Sequence, residues 1–185
     1  MTPEKSLGNK MKRIVVLGTS GSGKTTLARD ISEKLEIPHI EMDRIYWRPN
    51  WCPPPEKEFR ASVQEAVQGE SWVLDGNYSR MRDIIWIRAT TLIWLDYSFP
   101  LVLWRSISRT VKRIYSGEEL YAGNRETFRQ SFLSRDSIIL WTLKTYFRRK
   151  REYPILFEDP KFQHLDKIRF QKPIEAGRFV KNLPT

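Results

Sequence analysis

The stretch that decides the fold is VVLGTSGSGKTTLARDI, residues 15–31. An apolar, β-branched run leads into a glycine-rich loop, and a helix-forming run follows the loop. Residues 18–25 match the pattern G-x-x-x-x-G-K-[ST] at every fixed position. A strand, a loop of this pattern and a helix in that order are typical of a loop that holds phosphate groups with its backbone.

The loop predicts a nucleoside triphosphate site. Backbone N–H groups in the loop and the positive end of the following helix both attract phosphate oxygens. Lys24 can reach the β and γ phosphates, and the Thr25 hydroxyl can ligate Mg²⁺. We therefore expect ATP and Mg²⁺ as cofactors. The predicted nucleotide-binding residues of the loop are Gly18, Ser20, Gly21, Ser22, Gly23, Lys24, Thr25 and Thr26.

The rest of the chain predicts a single three-layer α/β domain. Five short apolar runs are strand candidates, and helical stretches separate them, so a five-stranded parallel sheet with helices on both faces is expected. The strand candidates are residues 13–18, 38–43, 71–76, 91–96 and 167–171, and the helix candidates are residues 24–35, 56–68, 100–115, 126–150 and 173–183. Residues 1–11 are expected to form a mobile polar tail. The mostly helical stretch of about residues 101–151 is too long for a simple crossover and predicts a helical lid.

Composition narrows the environment and the partners. Lys and Arg number 32 against 22 Asp and Glu, and the net charge of +10 favours anionic partners such as nucleotides. The single cysteine, Cys52, permits no internal disulfide and suits the cytoplasm. The apolar stretch 91–104 is interrupted by Asp96 and Pro100 and is too short to span a membrane. The two histidines, His39 and His164, are isolated in the sequence and predict no zinc site.

Four segments carry a resemblance to known kinases: GTSGSGKTTLA (18–28), MDRIYWRPNW (42–51), WVLDGNYS (72–79) and TLIWLD (91–96). They resemble the nucleoside monophosphate kinase and shikimate kinase group, and more closely a bacterial branch described as adenylate kinase-related or DNA topology modulation proteins. The resemblance covers nearly the whole chain from Arg13 onward. It departs from adenylate kinase at DGNYSR (75–80), where that family has an Asp-Gly-Phe-Pro-Arg type of segment, and one cysteine cannot hold a four-cysteine zinc lid.

The resemblance implies roles for two acidic residues at strand ends. Asp75 would hold Mg²⁺ through water or orient the acceptor; the alternative is that it only opens the DGN turn. Asp43 would hydrogen-bond an acceptor hydroxyl and orient or deprotonate it; the alternative is a helix cap. Arg44 is a second candidate on the acceptor side. The predicted metal-site residues are Thr25 and Asp75.

Arginines follow in the lid region. Arg105, Arg109 and Arg113 recur every four residues and share one helix face, and the resemblance suggests that they close on the triphosphate. A solvated charge stripe is the alternative. Further candidates are Arg125 and Arg135 in the lid, and Trp47 and Trp51 as walls of an acceptor pocket. Arg80 and Arg82 could hold an acceptor phosphate; the alternative is that they only face water. The predicted catalytic residues are Lys24, Asp43, Asp75, Arg109 and Arg113.

Two functions fit these observations. The favoured one is an ATP-dependent phosphotransferase that acts on a small acceptor, with a slight preference for a nucleotide or nucleotide-like compound. The other is a nucleic-acid-associated P-loop protein that binds phosphate backbone through KTYFRRKR (144–151) and the helix near Arg109. A steep loss of affinity with salt would distinguish nucleic-acid binding from a small acceptor. The oligomeric state does not follow from the sequence.

Overall fold

One parallel sheet forms the centre of the molecule. The computed structural model describes residues 11–133 and 137–184, and within them lie strands β1 (Arg13–Gly18), β2 (His39–Glu41), β3 (Trp72–Asp75), β4 (Thr91–Leu95) and β5 (Asp166–Phe170). The strands are all parallel and run in the order β2-β3-β1-β4-β5. The predicted five-stranded parallel α/β fold is confirmed.

Helices cover both faces of this sheet. They are α1 (Lys24–Leu35), α2 (Met42–Tyr46), α3 (Glu56–Ala66), α4 (Arg82–Arg88), α5 (Phe99–Ser116), α6 (Ile138–Glu158) and α7 (Pro173–Lys181). The predicted helix 24–35 coincides with α1. The predicted helix 126–150 begins later, at Ile138, and continues through Pro154 to Glu158, after a π-helical turn at Arg129–Leu133. The short helix α4 was not predicted, and α2 was expected only in the alternative that Asp43 caps a helix; Asp43 lies within α2, and Glu41 stands at its N-cap.

Alternation along β1 divides the core between the two faces. Val15 and Leu17 belong to the cluster covered by α2, α3, α4 and α6, whereas Ile14 and Val16 belong to the cluster covered by α1, α5 and α7. Burial on both faces explains why the strands read as continuous apolar runs. Met11, the last residue of the predicted tail, is 3% exposed and packs in the second cluster, and the other residues of that prediction, 1–10, lie outside the described residues.

The buried carboxylate of Asp96 links the end of β4 to β5 and to α6. Asp96 follows β4 directly and accepts hydrogen bonds from Lys150 Nζ of α6 at 2.7 and 2.8 Å. It also accepts one from Arg169 Nε of β5 at 2.8 Å. The side chain of Asp96 is 3% exposed, so both cations offset the cost of burying its charge. Of the helices in residues 11–133 and 137–184, none has the length and apolar character needed to cross a bilayer.

Candidate active site

The glycine-rich loop leaves the carboxyl end of β1, between the ends of β3 and β4. Lys24 Nζ donates to the Thr19 carbonyl oxygen at 3.2 Å, which holds the side chain across the loop. Gly21 has φ +79°, and a Cβ there would lie 2.6 Å from the Val102 carbonyl oxygen. The loop therefore lies directly against the backbone of α5, and only glycine fits at this position.

Asp75 joins the loop to the neighbouring strands. The residue is 6% exposed, and its Oδ2 accepts from Thr25 Oγ1 at 2.6 Å. Its Oδ1 lies 2.9 Å from His39 Nε2 on β2. The two residues predicted for the metal site, Thr25 and Asp75, are thus in direct contact. The sequence suggested that His39 is isolated, but in the structure it contacts the Asp75 carboxylate and orients it.

Asn77 fixes the start of the loop. Its Nδ2 donates to the Gly18 carbonyl oxygen at 2.5 Å, and its Oδ1 accepts from Gly18 N at 3.2 Å. The same Oδ1 accepts from the Tyr153 hydroxyl of α6 at 2.9 Å. The DGN turn therefore has a structural task besides presenting Asp75: it joins the loop to α6.

The three arginines predicted on one helix face lie in three different settings. Arg109 Nη2 donates to Ser20 Oγ of the loop at 2.9 Å. The Arg105 guanidinium lies 5.9 Å from the centre of the Tyr97 ring, and its Nη1 lies 4.0 Å from an ideal Cβ on Gly23. Arg113 instead pairs with Glu126 at 3.2 Å and Glu118 at 3.7 Å. The structure brings Arg105 and Arg109 to the loop and turns Arg113 towards Glu118 and Glu126.

Arg149 is a residue that the sequence analysis assigned only to a basic run. It lies on α6, is 7% exposed, and its Nη1 has no hydrogen-bond partner within the described parts of the chain. Burial and the nearby Arg149 lower the pKa of Lys24 to about 8, although Asp75 and Asp43 act in the opposite direction. Buried cations without a carboxylate partner are expected where an anion binds. This side of the loop is therefore short of negative charge.

Asp43 lies on α2, on the other side of the loop. Its Oδ1 accepts from the Tyr78 hydroxyl at 2.6 Å. Burial and Asp43 raise the pKa of Tyr78, and burial, Asp43 and Glu41 raise the pKa of Tyr121 in the lid. Both phenols therefore keep their protons and can donate hydrogen bonds at neutral pH.

Aromatic rings stand beside Asp43. Tyr46 lies 4.8 Å from Tyr78 and from Trp47, and Trp47 lies 5.4 Å from Trp51, measured between ring centres. Each of these rings is half-buried. Trp47 and Trp51 therefore belong to one set of ring contacts that reaches the Asp43 partner Tyr78, and their role as walls of an acceptor pocket stays a prediction.

The arginines predicted on the acceptor side have partners within the protein. Arg44 Nε lies 3.1 Å from Glu41, and Arg80 Nη1 lies 3.6 Å from Glu56. The Arg82 guanidinium lies 5.2 Å from the centre of the Trp86 ring. In the lid, Arg125 pairs with Glu119 at 2.6 Å, and Arg135 lies outside the described residues.

The segment after α5 contacts the turn after α2 through Asn124. Its Oδ1 accepts from Trp51 N at 2.9 Å, and its Nδ2 donates to the Arg48 carbonyl oxygen at 2.8 Å. Asn124 is 6% exposed, so these hydrogen bonds are shielded from water. The Trp51 backbone, at φ +56°, is held in the left-handed region by this contact.

These residues fit a nucleotide with Mg²⁺. The unpartnered Arg149 Nη1 and the buried Lys24 suit an anion, while the Thr25 hydroxyl and the Asp75 carboxylate are oxygen donors of the kind Mg²⁺ prefers. Within residues 11–133 and 137–184, no group of three or more His, Cys, Asp and Glu side chains is arranged to hold a metal ion. Such a site would therefore share Mg²⁺ with phosphate oxygens and water.

Comparisons with known proteins agree with this arrangement at the level of the fold. The solved structures similar to this chain include a shikimate kinase from Acinetobacter baumannii, with 15% identity, a TM-score of 0.57 and coverage of 97% of this chain and 93% of that one. A sugar kinase from Janibacter sp. HTCC2649 has 17% identity, a TM-score of 0.52 and coverage of 92% and 91%. A gluconokinase from Sinorhizobium meliloti 1021 has 18% identity, a TM-score of 0.51 and coverage of 94% and 90%. The chain has the P-loop kinase fold.

Sequence relatives add little to this. YqaC, an uncharacterized protein of Bacillus subtilis strain 168, is 27% identical over 129 residues, which are 69% of this chain and 72% of that protein. No protein-family model matches the chain.

Proposed function

We propose that the protein is an ATP-dependent phosphotransferase that transfers the γ-phosphoryl group to a hydroxyl of a small acceptor. One observation carries this proposal: the Asp43 carboxylate is close enough to the loop to raise the pKa of Lys24, yet no cation pairs with it among the residues the structure describes. A carboxylate opposite the phosphate-binding lysine is suited to orient an alcohol and accept its proton. The kinase fold of the shikimate and gluconate enzymes supports the same reaction class.

The roles follow from the contacts. The loop backbone, Lys24, Arg105, Arg109 and Arg149 would offset the charge of the triphosphate, with Arg149 added here to the residues predicted from sequence. Asp43 would accept the hydroxyl proton as the acceptor oxygen bonds to the γ phosphorus and the bond from that phosphorus to the β–γ bridging oxygen breaks, which leaves ADP. Arg113 stays a predicted catalytic residue, acting once its pairs with Glu118 and Glu126 open.

Thr25 and Asp75 would hold Mg²⁺ together with the bound nucleotide. When bound, the ion would neutralise charge on the β and γ phosphates. The contact between His39 and Asp75 Oδ1 leaves Oδ2 directed at Thr25. The protein's contribution to this site is therefore an oxygen pair held in place before the nucleotide binds.

A role on nucleic acid is the second candidate, and the structure favours it less. In the basic run 144–151, Lys150 pairs with Asp96 and Arg149 is buried beside the loop. Only part of the run therefore remains for phosphate backbone. We retain the adenylate kinase-related or DNA topology modulation branch as a proposed set of relatives, and propose a cytoplasmic location because Cys52 is an exposed free thiol.

The test uses three variants and the acceptor that gives the most ADP from MgATP. Asp43→Asn is expected to lower kcat by a factor of about 10² to 10⁴, the usual contribution of a general base, with little change in MgATP affinity. Lys24→Ala is expected to fold normally but to lose its thermal stabilisation by MgATP. Arg44→Ala is the matched control, because Arg44 is exposed and paired with Glu41 beside the same Asp43.

The outcomes separate the alternatives. Retained kcat/KM in Arg44→Ala with a large loss in Asp43→Asn supports the alcohol acceptor. A large loss in Arg44→Ala with normal activity in Asp43→Asn would indicate a phosphate acceptor instead. Equal stabilisation of wild type and Lys24→Ala by MgATP would contradict the assignment of the glycine-rich loop as the nucleotide site.

A further inference from the structure

We infer that the acceptor is an uncharged alcohol with a flat ring, of the nucleoside class, and not a phosphorylated or carboxylated compound. This inference deepens the proposed function and rests on its assignment of the acceptor side to Asp43. It follows from how charged side chains are distributed on the two sides of the glycine-rich loop.

On the acceptor side, the arginines are already neutralised. Within the described residues, six arginines between positions 44 and 125 have carboxylate partners, so these six are not free to bind an acidic group. The pairs are Arg44 with Glu41, Arg48 with Glu58, Arg60 with Asp83, Arg80 with Glu56, Arg113 with Glu118 and Glu126, and Arg125 with Glu119. Arg82 lies against the Trp86 ring, and Arg88 donates to the backbone carbonyl oxygens of Val67 and Gln68.

On the nucleotide side the opposite holds. Within residues 11–133 and 137–184, Arg105, Arg109 and Arg149 form no ion pair with a carboxylate, and they lie against a ring, a hydroxyl and Tyr153 respectively. The cations that remain for an anion are therefore those that would surround the triphosphate. These cations suffice for one anionic substrate, and that substrate is the phosphoryl donor.

Asp43 adds a negative charge that no ion pair neutralises within the described residues, and the nearby cations, Lys24 and Arg109, belong to the nucleotide side. Its partner is the neutral Tyr78 hydroxyl, and Tyr121 lies close enough for Asp43, Glu41 and Asp75 to raise its pKa. A phosphate or carboxylate on the acceptor would be repelled by this carboxylate, because like charges brought together oppose binding. Hydroxyl groups, by contrast, find both a carboxylate acceptor and two phenolic donors.

The ring follows from the wall of aromatic side chains. Tyr46, Trp47, Trp51 and Tyr78 are half-buried and form one continuous set of ring contacts next to Asp43. Flat, amphipathic rings of this kind bind a flat ligand face by stacking and by apolar contact. An acyclic sugar acid would leave this wall largely unused.

The test compares matched pairs of compounds by binding and by turnover. Calorimetry, with the nucleotide site saturated by a nonhydrolysable ATP analogue and Mg²⁺, measures the affinity of a set of nucleosides and of their 5′-monophosphates. We expect at least one nucleoside to bind, and to bind at least tenfold more tightly than its monophosphate. Tighter binding of the monophosphates, or no binding by any nucleoside, overturns the inference.

ADP release from MgATP tests the proposed function separately. If a nucleoside binds in preference to its monophosphate but never stimulates ADP release, the acceptor-side inference stands and the phosphotransferase is wrong. If a monophosphate is the better acceptor in turnover, the inference is wrong and the phosphotransferase stands.

Two tryptophan variants locate the binding. Trp47→Ala is expected to raise the KM for the nucleoside at least tenfold with less than a threefold change in kcat. Trp104→Ala, which removes a ring that is 69% exposed on α5, is expected to leave both constants unchanged. An unchanged KM in Trp47→Ala would contradict the proposal that these aromatic side chains stack on the acceptor ring.

Discussion

Lys24 should take up a proton when nucleotide binds. Burial and Arg149 lower its pKa to about 8 in the free protein, and a bound polyphosphate would raise that pKa because it adds negative charge beside the ammonium group. At pH 8 about half of the free Lys24 side chains are deprotonated, so binding should take up about 0.5 proton; at pH 7 the uptake falls to about 0.1.

The uptake fixes the direction of the pH dependence. Because the complex holds more protons than the free protein, nucleotide affinity should fall as the pH rises above about 8 and should be nearly constant below about 7. Isothermal titration of the Mg²⁺ complex of a nonhydrolysable ATP analogue, in two buffers with different ionisation enthalpies at pH 8, measures the uptake directly.

Two variants assign the proton. Arg149→Met should reduce the uptake at pH 8, since removing that nearby cation raises the pKa of Lys24 in the free protein. Arg44→Ala, which changes an exposed residue paired with Glu41, should leave the uptake unchanged. An uptake that is unchanged in Arg149→Met, or no difference between the buffers in the wild type, would refute the reasoning.

Three further changes test the framework around the site. Gly21→Ala should lower the free energy of unfolding, measured in urea, by more than Gly117→Ala does. Both glycines have a positive φ, and replacing either costs about 1 kcal/mol for that reason, but only a Cβ at Gly21 approaches backbone atoms. Equal losses would argue against the close contact with α5. Asp96→Asn should destabilise the protein by about 2 kcal/mol, because two cations lose their buried partner, and a change below about 0.5 kcal/mol would contradict this. Asn124→Ala should speed limited proteolysis within residues 115–124, because it removes the hydrogen bonds to Trp51 and Arg48, and a nonhydrolysable ATP analogue should slow it. A cleavage rate that neither the substitution nor the analogue changes would indicate that the predicted lid is a fixed insertion.

The strands and the glycine-rich loop were predictable because their determinants are local. The apolar run that forms β1 and the motif that follows it are contiguous, and α1 begins at the motif lysine, as predicted. The predicted strand 38–43 ended early, since α2 begins at Met42, whose side chain is buried in the core. Nothing in the alternation of residues 38–43 separates a short strand from a strand followed at once by a helical turn.

The site was predictable only in part, because half of it is assembled by contacts between distant segments. Thr25 and Asp75 were expected together from motif and resemblance, and they touch. His39 reaches Asp75 through the pairing of β2 with β3, and Arg149 reaches the loop through the docking of α6. Neither a strand order nor a helix rotation can be inferred from spacing along one chain. For this reason His39 was interpreted as an isolated histidine, and Arg149 only as part of a basic run.

Acceptor-dependent turnover is the most direct test of the central claim. The protein is incubated with MgATP and a panel of nucleosides, nucleotides and hydroxylated metabolites, and ADP and the phosphorylated product are quantified together, with Lys24→Ala as the blank. We predict that at least one alcohol yields equal amounts of ADP and of a new phosphate monoester, and that Asp43→Asn loses both in parallel. ADP formation that no compound stimulates above the level without acceptor, in a protein that binds MgATP, would contradict the assignment as a phosphotransferase.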